Sequence, residues 1–321
     1  MPAIDVNSRV EPGTVANLDR LARWDLRSIE TIRASYAAVR PAPVAPDPRV
    51  VRSDAVIPGT DGFPDVRVRW YRPVRAEGPL PCLVYFHGGA YIMGTLDEND
   101  DRLDQMVIKL GCAVVSVDWR LAPEHPYPEG LNDAEAAWRR VVSDHAEFGV
   151  DPSRLVLGGA SAGAGLVAAL CLRLRDSGFP QPKLQLLVYP MLDDRELTPS
   201  IRAIEEDPGH WGLWRLRAQR MCWQAYLGRL ADGDIPPTAA PGRATDLAGL
   251  APAFLAVGDV DAYLDENVQY AARLSNSGVP TELHVYPGVI HGGFLARPNT
   301  PRTAQFLRDV YAALASAFES Q

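Results

Sequence analysis

The chain has 321 residues, 47% of them hydrophobic and 22% charged, with a formal net charge of −8. These are the proportions of a soluble globular protein large enough for one α/β core with an added subdomain. An acidic balance with charges spread along the chain argues against nucleic-acid binding.

Residues 1–40 carry an apolar stripe at helical spacing, through Leu18, Leu21, Trp24, Ile29, Ile32 and Tyr36. Pro41, Pro43, Pro46 and Pro48 then end any helix and form a stiff linker. Segments 50–57 and 66–71 alternate around Asp61-Gly62 and read as a hairpin. From Leu80 the pattern changes to continuous apolar runs at 80–86, 113–117, 155–157, 184–189, 253–257 and 281–286. Helical segments such as 131–148 and 263–277 separate them. Apolar strands alternating with helices imply a mostly parallel sheet covered on both faces, with ligands at the carboxyl ends of its strands. Between Asp193 and Asp246 the alternation stops in an insert holding Trp211, Trp214, Trp223 and Tyr226, read as a helical lid whose aromatics mostly form its own small core. The expected organisation is N-terminal cap helices at 1–45, core at 46–192, cap insertion at 193–246 and core again at 247–321.

Residues 1–10 include Asp5 and Arg9 and no apolar stretch, so no secretory signal is expected there. The uncharged stretch 155–172 is interrupted by Gly158, Gly159, Ser161, Gly163 and Gly165, which fits a buried strand turning into a buried helix rather than a membrane span. Cys82, Cys112, Cys171 and Cys222 lie far apart, with no C-x-x-C and no metal spacing. They read as buried free thiols of a cytoplasmic protein without a metal or cofactor.

Gly159-Ala160-Ser161-Ala162-Gly163 joins the 155–157 run to a small-residue helix. A G-x-S-x-G pentapeptide between strand and helix is the nucleophile elbow of the α/β-hydrolase fold. A serine hydroxyl needs a base, the base needs an acid, and the developing oxyanion needs donors. His291, followed by two glycines after the last strand, is the expected base; His125, His145, His210 and His284 read as surface or packing residues. Asp261 is the expected acid, because Ser161…Asp261…His291 keeps the Ser…Asp…His order of this fold. Asp259, Asp193 and Asp194 are the alternatives, and Asp265 reads as the start of the next helix. His87-Gly88-Gly89 ends the 80–86 strand. There Gly88 and Gly89, with Ala162 after the nucleophile, are the expected oxyanion donors and His87 is structural.

Taken together, His87-Gly88-Gly89-Ala90, the segment 118–124 (Asp-Trp-Arg-Leu-Ala-Pro-Glu), the elbow, Asp261 with Asp265-Glu266, and Tyr286-Pro287-Gly288 with His291 resemble the hormone-sensitive-lipase-like group of α/β-hydrolases over residues 80–320. The resemblance implies an eight-stranded sheet with a helical cap, a serine carboxylesterase acting on short- to medium-chain soluble esters, and a homodimer through the last strand and C-terminal helix. It assigns 118–124 to a structural loop. Three positions depart from the pattern: Ala160 stands where an acidic residue is usual, and Ala164 and Ala90 stand where glycines are common. Ala160 removes a carboxylate near the nucleophile, which is expected to alter the pH profile or loosen the supporting hydrogen bonds. Tyr91, Trp211 and Trp214 are the expected walls of an apolar pocket. Two other readings use the same residues: an amide or formamide hydrolase resembling arylformamidases, and a small-molecule receptor that has lost catalysis, against which the presence of His291 argues.

Overall fold

The computed structural model describes residues 9–11, 24–40, 42–59, 64–196, 198–206, 216–231, 233–296 and 300–319. Its first half contains α1 (Ile29–Val39), β1 (Val50–Ile57), β2 (Val66–Pro73), β3 (Leu80–Phe86), α2 (Asp100–Leu110), β4 (Ala113–Val117), α3 (Glu129–Ser143), β5 (Val150–Ala160) and α4 (Ala162–Asp176). Then follow β6 (Gln185–Val188), α5 (Pro199–Glu206), α6 (Leu216–Leu227), β7 (Ala253–Val260), α7 (Leu264–Asn276), β8 (Thr281–Ile290), α8 (Gly293–Ala296) and α9 (Pro301–Phe318).

The strands form one eight-stranded sheet in the order β1-β2-β4-β3-β5-β6-β7-β8. β1 and β2 pair as the expected hairpin, from Ile57 opposite Val66 to Val50 opposite Pro73. β2 is also antiparallel to β4, and every remaining pair is parallel. Alternate residues along the strands feed two cores. Cys82, Val84, Phe86 and Leu157 pack with α3 and α4 on one face. Leu83, Tyr85, Val156 and Leu186 pack with Leu103 and Val107 of α2 and Phe306, Val310 and Leu314 of α9 on the other. Each fully buried side chain of this kind stabilises the fold by about 1.5–3 kcal/mol.

The stretch 155–172 is the expected strand and helix: it is buried almost throughout and breaks at Ser161. Among the described residues no helix is long and apolar enough to cross a membrane. All four cysteines are buried free thiols.

Two of the departures from the sequence reading bear on the site and its supports. β8 continues to Ile290 instead of ending near 286, and pairs with β7 through a register shift that sets Val260 opposite Ile290. Pro287 and Gly288 therefore lie within the strand, with Gly288 at φ 75 supplying the irregularity. The N-terminal stripe yields one described helix, α1, opened by a capping box between Ser28 and Thr31; Leu18 and Leu21 lie outside the described residues. α1 is fastened to the body by Arg33, which donates to the carbonyls of Ile92 and Ala122 at 2.7 Å and makes a two-pronged pair with Glu124 at 2.6 and 2.7 Å.

Candidate active site

The elbow is built by close approach. A Cβ on Gly159 would lie 2.6 Å from the Gly163 carbonyl group, and one on Gly163 would lie 2.2 Å from the Phe86 carbonyl oxygen. Both flanking positions of the pentapeptide must be glycine for β5 to turn into α4 beside β3. Ser161, between them, has φ 55 and ψ −121, a conformation costly for a residue with a side chain. Its backbone is held on both sides: its N–H donates to Val188 at 2.9 Å, and its carbonyl accepts from Gly165 at 3.0 Å and Met191 at 3.2 Å.

Three residues far apart in sequence meet here. Ser161 Oγ lies 3.0 Å from His291 Nε2. His291 Nδ1 lies 2.9 Å from Asp261 Oδ2 and 3.1 Å from Oδ1. A carboxylate can only accept, so Nδ1 carries the proton and Nε2 is left bare to take one from Ser161. Asp261 also accepts the Tyr263 N–H at 2.9 Å, and its side chain is fully buried while that of His291 is 12% exposed. The alternative acids are engaged elsewhere. Asp259 accepts from Gly288 N–H at 2.6 Å and pairs with Arg9 at 2.7 Å. Asp193 pairs with Arg195, and Asp194 with Arg243. Asp265 lies in the first turn of α7, as expected, and accepts the Ser200 N–H at 2.7 Å.

The His87-Gly88-Gly89 turn abuts the nucleophile. A Cβ on Gly88 would stand 3.3 Å from Ser161 Cβ and 3.0 Å from the Ala160 carbonyl. Gly89 has φ 126 and Ala90 φ 51, so the alanine standing for a third glycine adopts a left-handed backbone. His87 is buried, donates from Nδ1 to the Gly88 carbonyl at 2.7 Å and stacks on Trp119 at 5.1 Å. It is a brace of the turn. The 118–124 segment is a structural loop: Trp119 supports His87, Arg120 pairs with Asp133 and Glu129, and Glu124 holds Arg33.

The expected pocket residues fare differently. Tyr91 is 1% exposed, stacks on Tyr226 at 3.8 Å, touches Trp223 at 5.4 Å, and donates to the Met191 carbonyl at 3.2 Å. It is a packed strut under the site, not a wall open to solvent. Trp223 and Tyr226 thus join the main core through Tyr91 instead of forming a small core of their own. Trp211, Trp214 and His210 lie outside the described residues.

The sequence reading missed the residues that surround the base. Tyr189 and Tyr263 stand edge-on to the His291 ring at 4.7 and 4.9 Å, and burial pushes both phenols upward from their ordinary value. Tyr189 follows a strand and Tyr263 precedes a helix, and no spacing marks either. Ala160 is buried in the core on the Tyr189 side of the sheet. Among the described residues no cluster of three His, Cys, Asp or Glu could hold a metal ion.

This fold and this chain of contacts define a serine hydrolase with a Ser-His-Asp triad. A family model described as alpha/beta hydrolase fold matches residues 83–295. The chain is 36% identical over 264 residues to Esterase LipI of Mycobacterium tuberculosis, covering 82% of this chain and 81% of that protein. It is 36% identical over 286 residues to Carboxylesterase NlhH of the same species, covering 87% and 83%. A solved structure titled Bacterial Heroin Esterase superposes with a TM-score of 0.91 at 35% identity, covering 98% of this chain and 99% of that one. The chain belongs to the alpha/beta hydrolase fold family, in its hormone-sensitive-lipase-like group, and is a carboxylic ester hydrolase.

Proposed function

We propose that the chain hydrolyses short- to medium-chain carboxylic esters of soluble alcohols through an acyl-enzyme. The observation that carries this reading is the continuous path from Ser161 Oγ through His291 to Asp261 at 3.0 and 2.9 Å. His291 Nε2 takes the Ser161 proton as Oγ attacks the ester carbonyl, and Asp261 stabilises the resulting imidazolium. Gly88, Gly89 and Ala162 are the proposed oxyanion donors; the close approach of Gly88 to Ser161 supports this. His291 then protonates the leaving alcohol. Water, deprotonated by the same Nε2, attacks the acyl carbonyl; the bond to Ser161 Oγ breaks, Nε2 returns the proton to Oγ, and the acid is freed.

The acyl range rests on family membership and on the aromatic surroundings of the base. A chain-length series of p-nitrophenyl esters with a matching anilide tests it: rates highest at short to medium chains and at least about 100-fold lower on the anilide are expected, and equal ester and anilide rates would overturn the ester preference. The proposed cap comprises residues 1–45 and 193–246 around the core segments 46–192 and 247–321. We place the protein in the reducing cytoplasm, a location that its four buried free thiols support. A homodimer through β8 and α9 is the proposed assembly. β8 ends the sheet, and Val285 on it is 42% exposed. Gel filtration at micromolar concentration that returns only monomer would exclude it.

A further inference from the structure

We propose that Glu266 and Asn267 form a positioning pair that holds the loop 189–192 against both the nucleophile and the base; this role rests on the triad reading. Both lie in the first turn of α7 and are buried. Glu266 Oε1 accepts the Leu192 N–H at 2.8 Å, and Asn267 Nδ2 donates to the Pro190 carbonyl at 2.8 Å. The two side chains therefore grip the loop on either side of Met191.

What they grip touches the triad on both sides. Met191 N–H donates to the Ser161 carbonyl, and the Met191 carbonyl accepts the Tyr91 hydroxyl, each at 3.2 Å. Tyr189, at φ 37, donates its N–H to Ala256 at 2.6 Å and lays its ring against His291. A non-glycine residue at positive φ persists only where its surroundings over-determine it. The same β7–α7 connection carries Asp261, which orients His291, and Tyr263, whose ring flanks it. One turn of chain thus supplies the acid directly and fixes the nucleophile and the base ring through the neighbouring loop.

The second carboxyl oxygen sharpens the assignment. Oε2 of Glu266 has no hydrogen-bond partner among the described residues, in a buried site close to Asp261 and Asp193. Burial pushes its carboxyl well above the ordinary carboxylate range, and the neighbouring Asp193 and Asp261 push it the same way. What the loop needs from Glu266 is an acceptor at that reach, which a glutamine also provides.

The test compares Glu266→Ala, Glu266→Gln and Asn267→Ala in the full chain. It reads kcat and KM on a short p-nitrophenyl ester, the rate of fluorophosphonate labelling of Ser161, and folding by circular dichroism. Displacement of a reacting group by about 1 Å costs up to roughly 100-fold in rate. Glu266→Ala and Asn267→Ala are expected to lower kcat by about tenfold or more, with KM within about twofold and labelling slowed in parallel. Glu266→Gln is expected to stay within about threefold of the parent in kcat and labelling. If Glu266→Ala fails to fold, Glu266→Gln and Asn267→Ala decide the matter. Folded Asn267→Ala with kcat within about twofold of the parent overturns the proposal. So does Glu266→Gln as impaired as a tenfold loss, which would mean the loop needs an acid and not an acceptor. A parent protein that labels but turns over no ester revises the substrate class alone, since labelling still reads the positioning; a parent that does not label overturns the triad reading and this role with it.

Discussion

Gly163 of the elbow packs so tightly against Phe86 of β3 that a Cβ on it would approach the Phe86 carbonyl oxygen to 2.2 Å. The nucleophile-bearing turn and the His87-Gly88-Gly89 turn are therefore one packed unit, with the end of β3 lodged against the first turn of α4. The atoms a Cβ would meet, the Phe86 and His87 carbonyl oxygens at 2.2 and 2.4 Å, are backbone, so the clash has no cheap relief. Gly163→Ala is expected to lose on the order of 4–5 kcal/mol and to reach the soluble fraction poorly. Yield and urea midpoint check it; a variant within about 1 kcal/mol of the parent would show that β3 can yield.

The triad makes two separable predictions. Ser161→Ala removes the attacking atom, and kcat on p-nitrophenyl esters is expected to fall by about 10⁶. Asp261→Asn keeps the shape but presents an amide to His291 Nδ1, which favours the wrong tautomer, so a loss of about 10⁴ is expected. Asp261 Oδ1 also accepts the Tyr263 N–H at 2.9 Å. Since an amide oxygen can retain that bond, Asp261→Asn is expected to fold with near-parental circular dichroism while losing activity. Ester turnover within tenfold of the parent for Ser161→Ala would remove Ser161 as nucleophile.

Much of this was readable before any coordinates. G-x-S-x-G works as a sequence signal because the physics is local: a Cβ at either flank strikes backbone a few residues or one strand away. The apolar runs gave the parallel strands, since burial on both faces leaves no polar alternation. Asp261 is separable from Asp259 only in outline, because the two lie two residues apart at the end of β7 and their partners, His291 for one and Arg9 with Gly288 for the other, come from distant segments. The role of Tyr189, and that of Glu266 beyond its place in the Asp265-Glu266 block, stay hidden for the same reason. Their importance lies in what the fold brings to them, Met191, Leu192 and His291, and single-sequence spacing carries no trace of it. Tyr91, expected as a pocket wall, packs on Tyr226 and Met191 from a left-handed backbone at φ 65, contacts that no sequence spacing marks.

Arg33 tests how firmly α1 is fastened. Its guanidinium reaches two carbonyls and both oxygens of Glu124, a geometry that an ammonium cannot reproduce. The Glu124 arm is more than half exposed and is worth about 1 kcal/mol or less. The carbonyls of Ile92 and Ala122 are partly buried, and losing a charged donor to them costs about 1.5–3 kcal/mol. Arg33→Lys is therefore expected to lose about 1–2 kcal/mol in urea unfolding, more than Glu124→Gln. Equal losses in the two variants would place the strength of the anchor in the ion pair instead of the carbonyls.

The buried carboxyl of Glu266 fixes the sign of a pH effect. Burial away from water raises its pKa well above the ordinary carboxylate value, with the charges of Asp193 and Asp261 pushing the same way against the Leu192 and Asp193 N–H groups. The folded chain then keeps a proton that the unfolded chain releases near pH 4.3. Stability from this group is fully present below about pH 4.3 and is lost as pH climbs toward the folded-state value, because unfolding then releases a proton. Glu266→Gln carries no such proton. The midpoint of Glu266→Gln relative to the parent is expected to be flat below about pH 4.3 and to rise steadily above it. Thermal unfolding of both chains across pH 4 to 8 measures the difference directly. A difference that falls as pH rises would mean that Glu266 is ionised in the fold and that its bond to Leu192 is a charged one.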